Sequence, residues 1–76
     1  LLIPVAEIAS IVADGELLRI TTADKRRFTI NYRLKDLEPR LDERSFVRLS
    51  RSAIANVDMI ARVAPMPGGT YTIVMK

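Results

Sequence analysis

Arginine and small hydroxyl residues interleave with apolar ones along Phe46-Val47-Arg48-Leu49-Ser50-Arg51-Ser52-Ala53-Ile54-Ala55-Asn56. Arg44 lies just upstream, and no acidic residue falls between Glu43 and Asp58. Guanidinium forks and hydroxyls at the point where a strand gives way to a turn are suited to phosphate oxygens and base edges. The same residues also suit a half-buried edge strand whose arginines are merely solvated. Chemistry alone leaves both readings open.

Other chemistries are narrowed by what is missing. The chain has no cysteine and no histidine, so thiolate or imidazole metal sites, Ser-His and Cys-His nucleophile pairs and imidazole acid-base schemes have no residues to work with. An enzyme would depend on carboxylates, hydroxyls, Lys25, Lys35 or Lys76. The expectation is a non-enzyme with no cofactor, no metal and no small-molecule substrate. A chain without cysteine also suits a reducing compartment.

The elements that must position the arginine-rich run belong to one domain, because 76 residues bury only roughly 60% of their unfolded surface and leave slender stability. With 49% apolar and 28% charged residues, the composition is that of a folded domain. No apolar run approaches the roughly 20 residues of a membrane-spanning helix. Leu1-Leu2-Ile3-Pro4 lacks the basic start of a signal peptide and has no initial methionine, so the chain reads as a piece of something longer. The net charge of +3 is unevenly spread. Residues 1–38 carry six basic and six acidic side chains, whereas residues 39–76 carry six and three.

Val5 to Ala13 reads as two short strand pieces, and Asp14-Gly15 as a type I′ hairpin turn. Leu17 to Thr22 returns as the partner strand. After a polar turn at Ala23-Asp24-Lys25-Arg26, Arg27 to Asn31 alternates as a third, completing an antiparallel meander. Leu34, Leu37 and Leu41 then line one face of a short helix that packs on the meander, limited to about two turns by Pro39. Phe46 to Ser50 is a strand, with Phe46, Val47 and Leu49 as core. Ser52 is expected to cap a helical turn through Ala53-Ile54-Ala55, which Asn56 ends in the left-handed conformation. Met59 to Ala64 and Thr70 to Met75 are the last strands, with Pro65 marking where the first of them stops. The fold class is mainly β, an elongated antiparallel arrangement with one short helix.

This order of elements, with the helix Leu34-Lys35-Asp36-Leu37-Glu38-Pro39-Arg40-Leu41 followed by Phe46 to Asn56, resembles the LytTR family of bacterial DNA-binding domains. The family signature runs approximately Phe-x-Arg-x-His-Arg-Ser-x-x-Val-Asn, which Phe46, Arg48, Arg51, Ser52 and Asn56 match. Ser50 stands at the signature histidine, so a contact made by that ring does not carry over. The resemblance runs from Val5 to Met75. It implies a single domain over 1–76 that stops short of the family's usual last strand and terminal helix.

The resemblance further implies a cytoplasmic output domain of a bacterial transcription regulator in a two-component system. Such a domain inserts loops into the major groove of double-stranded DNA and binds direct repeats as a homodimer, with no membrane partner. The contacting loops would be Ser50-Arg51-Ser52 and Asp14-Gly15-Glu16-Leu17. Arg51 is the leading candidate, able to grip guanine O6 and N7 or a phosphate. Arg48 either lays its stem on Phe46 and pairs with a carboxylate or contacts phosphate. Gly15 and Glu16 would act through backbone N-H groups or a carboxylate accepting from cytosine N4. Arg44, Lys25, Arg26 and Arg27 neighbour phosphate only if they share the binding face. The competing reading is a small β module for protein-protein association through an open edge at Thr70 to Met75. Single-stranded nucleic acid fits poorly, because Phe28 and Phe46 look committed to the core.

Overall fold

A computed structural model describes residues 3–76. Leu1 and Leu2, half of the stretch read for a leader, lie outside the described residues. The described chain forms seven strands: β1 (Ile8–Asp14), β2 (Leu17–Thr22), β3 (Arg27–Ile30), β4 (Phe46–Ser50), β5 (Ala53–Asn56), β6 (Ile60–Met66) and β7 (Thr70–Met75). A single α-helix, α1 (Leu34–Leu37), runs on into a 3-10 turn at Glu38–Arg40. The molecule is elongated, 39 × 24 × 22 Å. Among the described residues no helix is long and apolar enough to cross a membrane.

The strands form a five-stranded antiparallel sheet in the order β3-β2-β1-β5-β4 and a separate ribbon of β6 and β7. Strand register explains the core. Phe28, Ile20, Ile11, Ile54 and Arg48 stand opposite one another in a row across the sheet. Side chains alternate between faces along a strand, so this row shares its face with Leu18. Ile11, Leu18 and Ile54 are fully buried, and burying side chains of this size stabilises by about 1.5 to 3 kcal/mol each. Helix α1 closes the face, with Leu34 buried and Leu37 and Leu41 packed at its margin. The expected leucine stripe therefore does pack on the meander, and Pro39 does hold the α-helix to four residues.

Several local expectations are corrected. Val5–Glu7 is a 3-10 turn instead of the start of a strand, because Pro4 sets the chain's direction and its carbonyl accepts the Glu7 N-H at 3.0 Å. The first hairpin turns one residue later than predicted. Asp14 is paired with Leu17 in the ladder, and the turn residues are Gly15 and Glu16. Only Gly15, at φ 63, is left-handed, which is the φ pattern of a type II′ turn and not of type I′.

Ala53–Asn56 is strand and not a helical turn, because pairing with both β1 and β4 satisfies its backbone on two sides. Asn56 accordingly has extended backbone (φ −77, ψ 119) and no left-handed role. Its buried side chain donates to the Ile8 carbonyl at 2.9 Å and accepts the Asp58 N-H at 3.0 Å. Pro65 lies inside β6, paired with Tyr71. It is tolerated because β6 has one neighbour only, leaving every second N-H without a strand to meet. Phe46 is core at 8% exposure, whereas Val47 and Leu49 are each 40% exposed. Val47 belongs to the outer row with Ala55, Ser10 and Thr21, and Leu49 sits at a register shift between Arg48 and Ser50.

Candidate nucleic-acid interface

The antiparallel register brings two of the predicted loops to one end of the sheet. β1 runs toward Gly15 while β5 runs away from Ser52, and the Ala13 N-H donates to the Ser52 carbonyl at 2.7 Å. The turn at Arg51-Ser52 and the hairpin at Gly15-Glu16 are thus neighbours. A shallow pocket lined by Gly15, Glu16, Asn31, Tyr32 and Arg33 adds the start of α1 to the same end. Arg33 was not singled out from the sequence. The signal available was its position just before a helix that must begin beside the hairpin.

Arg51 and Ser52 are the turn residues between β4 and β5, and neither has positive φ. A two-residue hairpin turn without a left-handed residue does not match the twist of its strands, and the register shift between Arg48 and Ser50 is where the ladder absorbs the mismatch. The turn is nevertheless tied down. The Ser52 N-H donates to Ser50 Oγ at 3.2 Å. Arg48 donates through Nε to the Ser50 carbonyl at 2.6 Å, through Nη2 to the Arg51 carbonyl at 2.8 Å and through Nη1 to Glu38 Oε1 at 2.6 Å. Arg51 itself is exposed, with no side-chain hydrogen bond or ion pair among the described residues. A free guanidinium thus projects from a fixed backbone.

The remaining basic residues are placed differently. Arg44 precedes β4 at the opposite end of the sheet, roughly 15 Å of strand from the turn at about 3.3 Å per residue, and pairs with Asp42. Arg26 lies with it at that end, bonded to Asp24 at 2.8 Å and to Glu7 at 3.5 Å, with its guanidinium 5.7 Å from the Phe28 ring centre. Arg27 stands opposite Thr21 on the outer face, and Lys25 is a left-handed turn residue at φ 68. The structure therefore brings Arg51, Ser50, Ser52, Arg48, Gly15 and Glu16 together and leaves Arg44 apart.

Electrostatics separate the two ends further. The Thr22 hydroxyl and then Arg26 hold the Asp24 carboxyl below its usual value, and the Arg44 backbone N-H followed by its side chain does the same for Asp42. Both carboxylates are at the Arg44 end. At the Arg51 end, the ion pair besides Glu38-Arg48 is Asp14 with Arg19. Beside β4, a groove of about 620 Å³ lined by Arg48, Leu49, Ser50, Val63, Thr70, Tyr71 and Ile73 separates the sheet from the ribbon.

A family described as the LytTr DNA-binding domain matches residues 1–76. Among solved structures, the LytTr DNA-binding domain of a protein described as a methyl-accepting/DNA response regulator from Bacillus cereus superposes with a TM-score of 0.76. The two are 24% identical over 96% of this chain and 74% of that chain. At that identity the likeness shows the shared fold, the mainly β antiparallel arrangement with a short helix. No curated protein matches the chain.

Proposed function

The chain belongs to the LytTr DNA-binding domain family, and from that premise we propose that it binds double-stranded DNA in a sequence-specific manner through the sheet end that carries Arg51. The observation that carries the reading is a guanidinium without a partner among the described residues, on a turn whose backbone is held by three neighbouring hydrogen bonds. A preorganised donor loses less freedom on binding than one on a loose loop. Arg51 reads guanine or grips phosphate. Ser50 and Ser52 supply hydroxyls beside it, and Gly15 and Glu16 bring backbone N-H groups to the adjacent surface. Arg33 adds a second basic side chain, and the turn enters the major groove.

In this reading residues 1–76 act as one DNA-binding unit, the output domain of a bacterial transcription regulator in the cytoplasm, binding direct repeats as a homodimer and carrying no catalytic activity. Arg44 stands outside the contact surface. Titration of duplexes selected from a random library, repeated across salt concentrations, tests it. Neutralising about three phosphates gives a slope of log K against log salt near −3. Failure to enrich any sequence, or binding that ignores salt, would contradict it.

A second reading has its own observation. Among the described residues β6 and β7 pair only with each other, which leaves both outer edges of the ribbon without a strand neighbour there, and Val63, Met66 and Tyr71 are exposed upon it. Strand addition by a partner protein requires little more. Association that rises with concentration in the absence of DNA, and is lost on placing a lysine at Val63, is the expected outcome; a strict monomer contradicts this second reading.

A further inference from the structure

Arg48 stands in the inner row of the sheet, opposite Ile54, where its counterparts on the other strands are isoleucine and phenylalanine. A charged residue in that row needs a reason. Its stem continues the apolar row to the rim, and its head is committed three ways: to Glu38 on the 3-10 turn after α1, to the Ser50 carbonyl and to the Arg51 carbonyl. All three nitrogens of the guanidinium are in use. The two carbonyls belong to the peptides on either side of the Arg51 Cα, and Glu38 anchors the clamp to the helical layer that covers the core.

We propose that Arg48 is a positioning residue for DNA recognition: with Glu38 it fixes the backbone from which Arg51 projects, and it does not itself contact DNA. The proposal rests on the DNA-binding reading for its purpose and on the three hydrogen bonds for its geometry. Lysine cannot replace it, because an ammonium lacks the planar fork that reaches three acceptors in fixed directions. Glu38 and Arg48 act as a unit, so loss of either loosens the same turn. A direct DNA contact makes the opposite demand on Glu38. If Arg48 gripped DNA, the carboxylate would compete for it, and removing Glu38 would strengthen sequence-specific binding.

Two measurements on Arg48→Lys and Glu38→Ala test this, and the first needs no DNA. Amide hydrogen exchange at Ser52 and Ala53 should quicken roughly tenfold in both variants while exchange at Ile11 and Leu18 stays at the global rate; unchanged exchange at the turn would overturn the clamp even if the chain binds DNA. In the second, the ratio of affinity for a selected duplex to that for a random duplex should fall by roughly tenfold in both variants, with the salt slope unaltered because no phosphate contact is lost. A ratio that rises in Glu38→Ala, or a slope that drops by about one when the charge is removed in Arg48→Gln, would make Arg48 a DNA contact and overturn the proposal. If wild-type chain selects no sequence, the DNA reading fails, while the exchange result still decides the clamp. Should Arg48→Lys not fold, Glu38→Ala, which keeps the arginine, decides both measurements.

Discussion

The two ends of the five-stranded sheet carry similar charge and use it in opposite ways. At the end where β4 begins, Arg26 and Arg44 are bonded to Glu7, Asp24 and Asp42, and buried Asn56 and Thr22 fasten the adjoining backbone. At the end where β4 stops, Arg19 pairs with Asp14, Arg48 spends its donors on main-chain carbonyls and one carboxylate, and Arg51 has no side-chain partner among the described residues. The first end closes the fold and the second presents a surface. Pairing separates Arg26 and Arg44 from Arg51, although all three carry the same charge.

That contrast should appear as a division of mutant effects. The largest belongs to the closed end. Asn56→Ala removes the partner of the Ile8 carbonyl and of the Asp58 N-H, and unfolding titrations should show a loss of about 2 to 4 kcal/mol with the sequence preference of the remaining folded protein intact. Next comes Arg51→Ala at the open end, which should cost about 1 to 3 kcal/mol of discrimination in binding while thermal unfolding moves little. A comparable loss of stability in Arg51→Ala would erase the distinction.

Gly15→Ala is smaller and sharpens it within the open end. A Cβ at Gly15 meets nothing within 4 Å, so the penalty is the left-handed backbone alone, about 1 kcal/mol of stability. The smallest effect is one of pH. Asp24 and Asp42 have lowered folded-state pKa values, so their contribution is fully present above the ordinary carboxylate range near about pH 4 and is shed as pH falls below it. Chemical denaturation between pH 6 and pH 3 should show that loss, and Asp42→Asn should reduce it, whereas Arg51→Ala should leave it unchanged.

Much of the fold was legible because apolar alternation fixes which face a strand buries. The strand at Leu17 to Thr22, the helix cut short by Pro39 and the ribbon strand at Thr70 to Met75 stand as the residue pattern implies. Ala53 to Asn56 was not legible. Four residues led by a serine satisfy a helix cap as well as a strand, and only pairing with β1, more than forty residues away (Ile11 with Ile54), decides between them. Val47 and Leu49 misled for a related reason, since a register shift at β4 and an outer face are invisible to composition. At the candidate site, the arginines could be named from their spacing, but their different roles required partners distant in sequence. Glu38 is ten residues from Arg48, and nothing local foretells that the two meet.

The central claim is that Arg51, and not the equally charged Arg44, reads DNA. Affinities of wild type, Arg51→Ala and Arg44→Ala for a selected duplex and for a random duplex, measured at one salt concentration, put the two ends side by side. Arg51→Ala should lower the selected-to-random ratio by roughly tenfold or more, with Arg44→Ala within error of wild type. Equal ratios in all three proteins, or a larger fall in Arg44→Ala, would contradict the account.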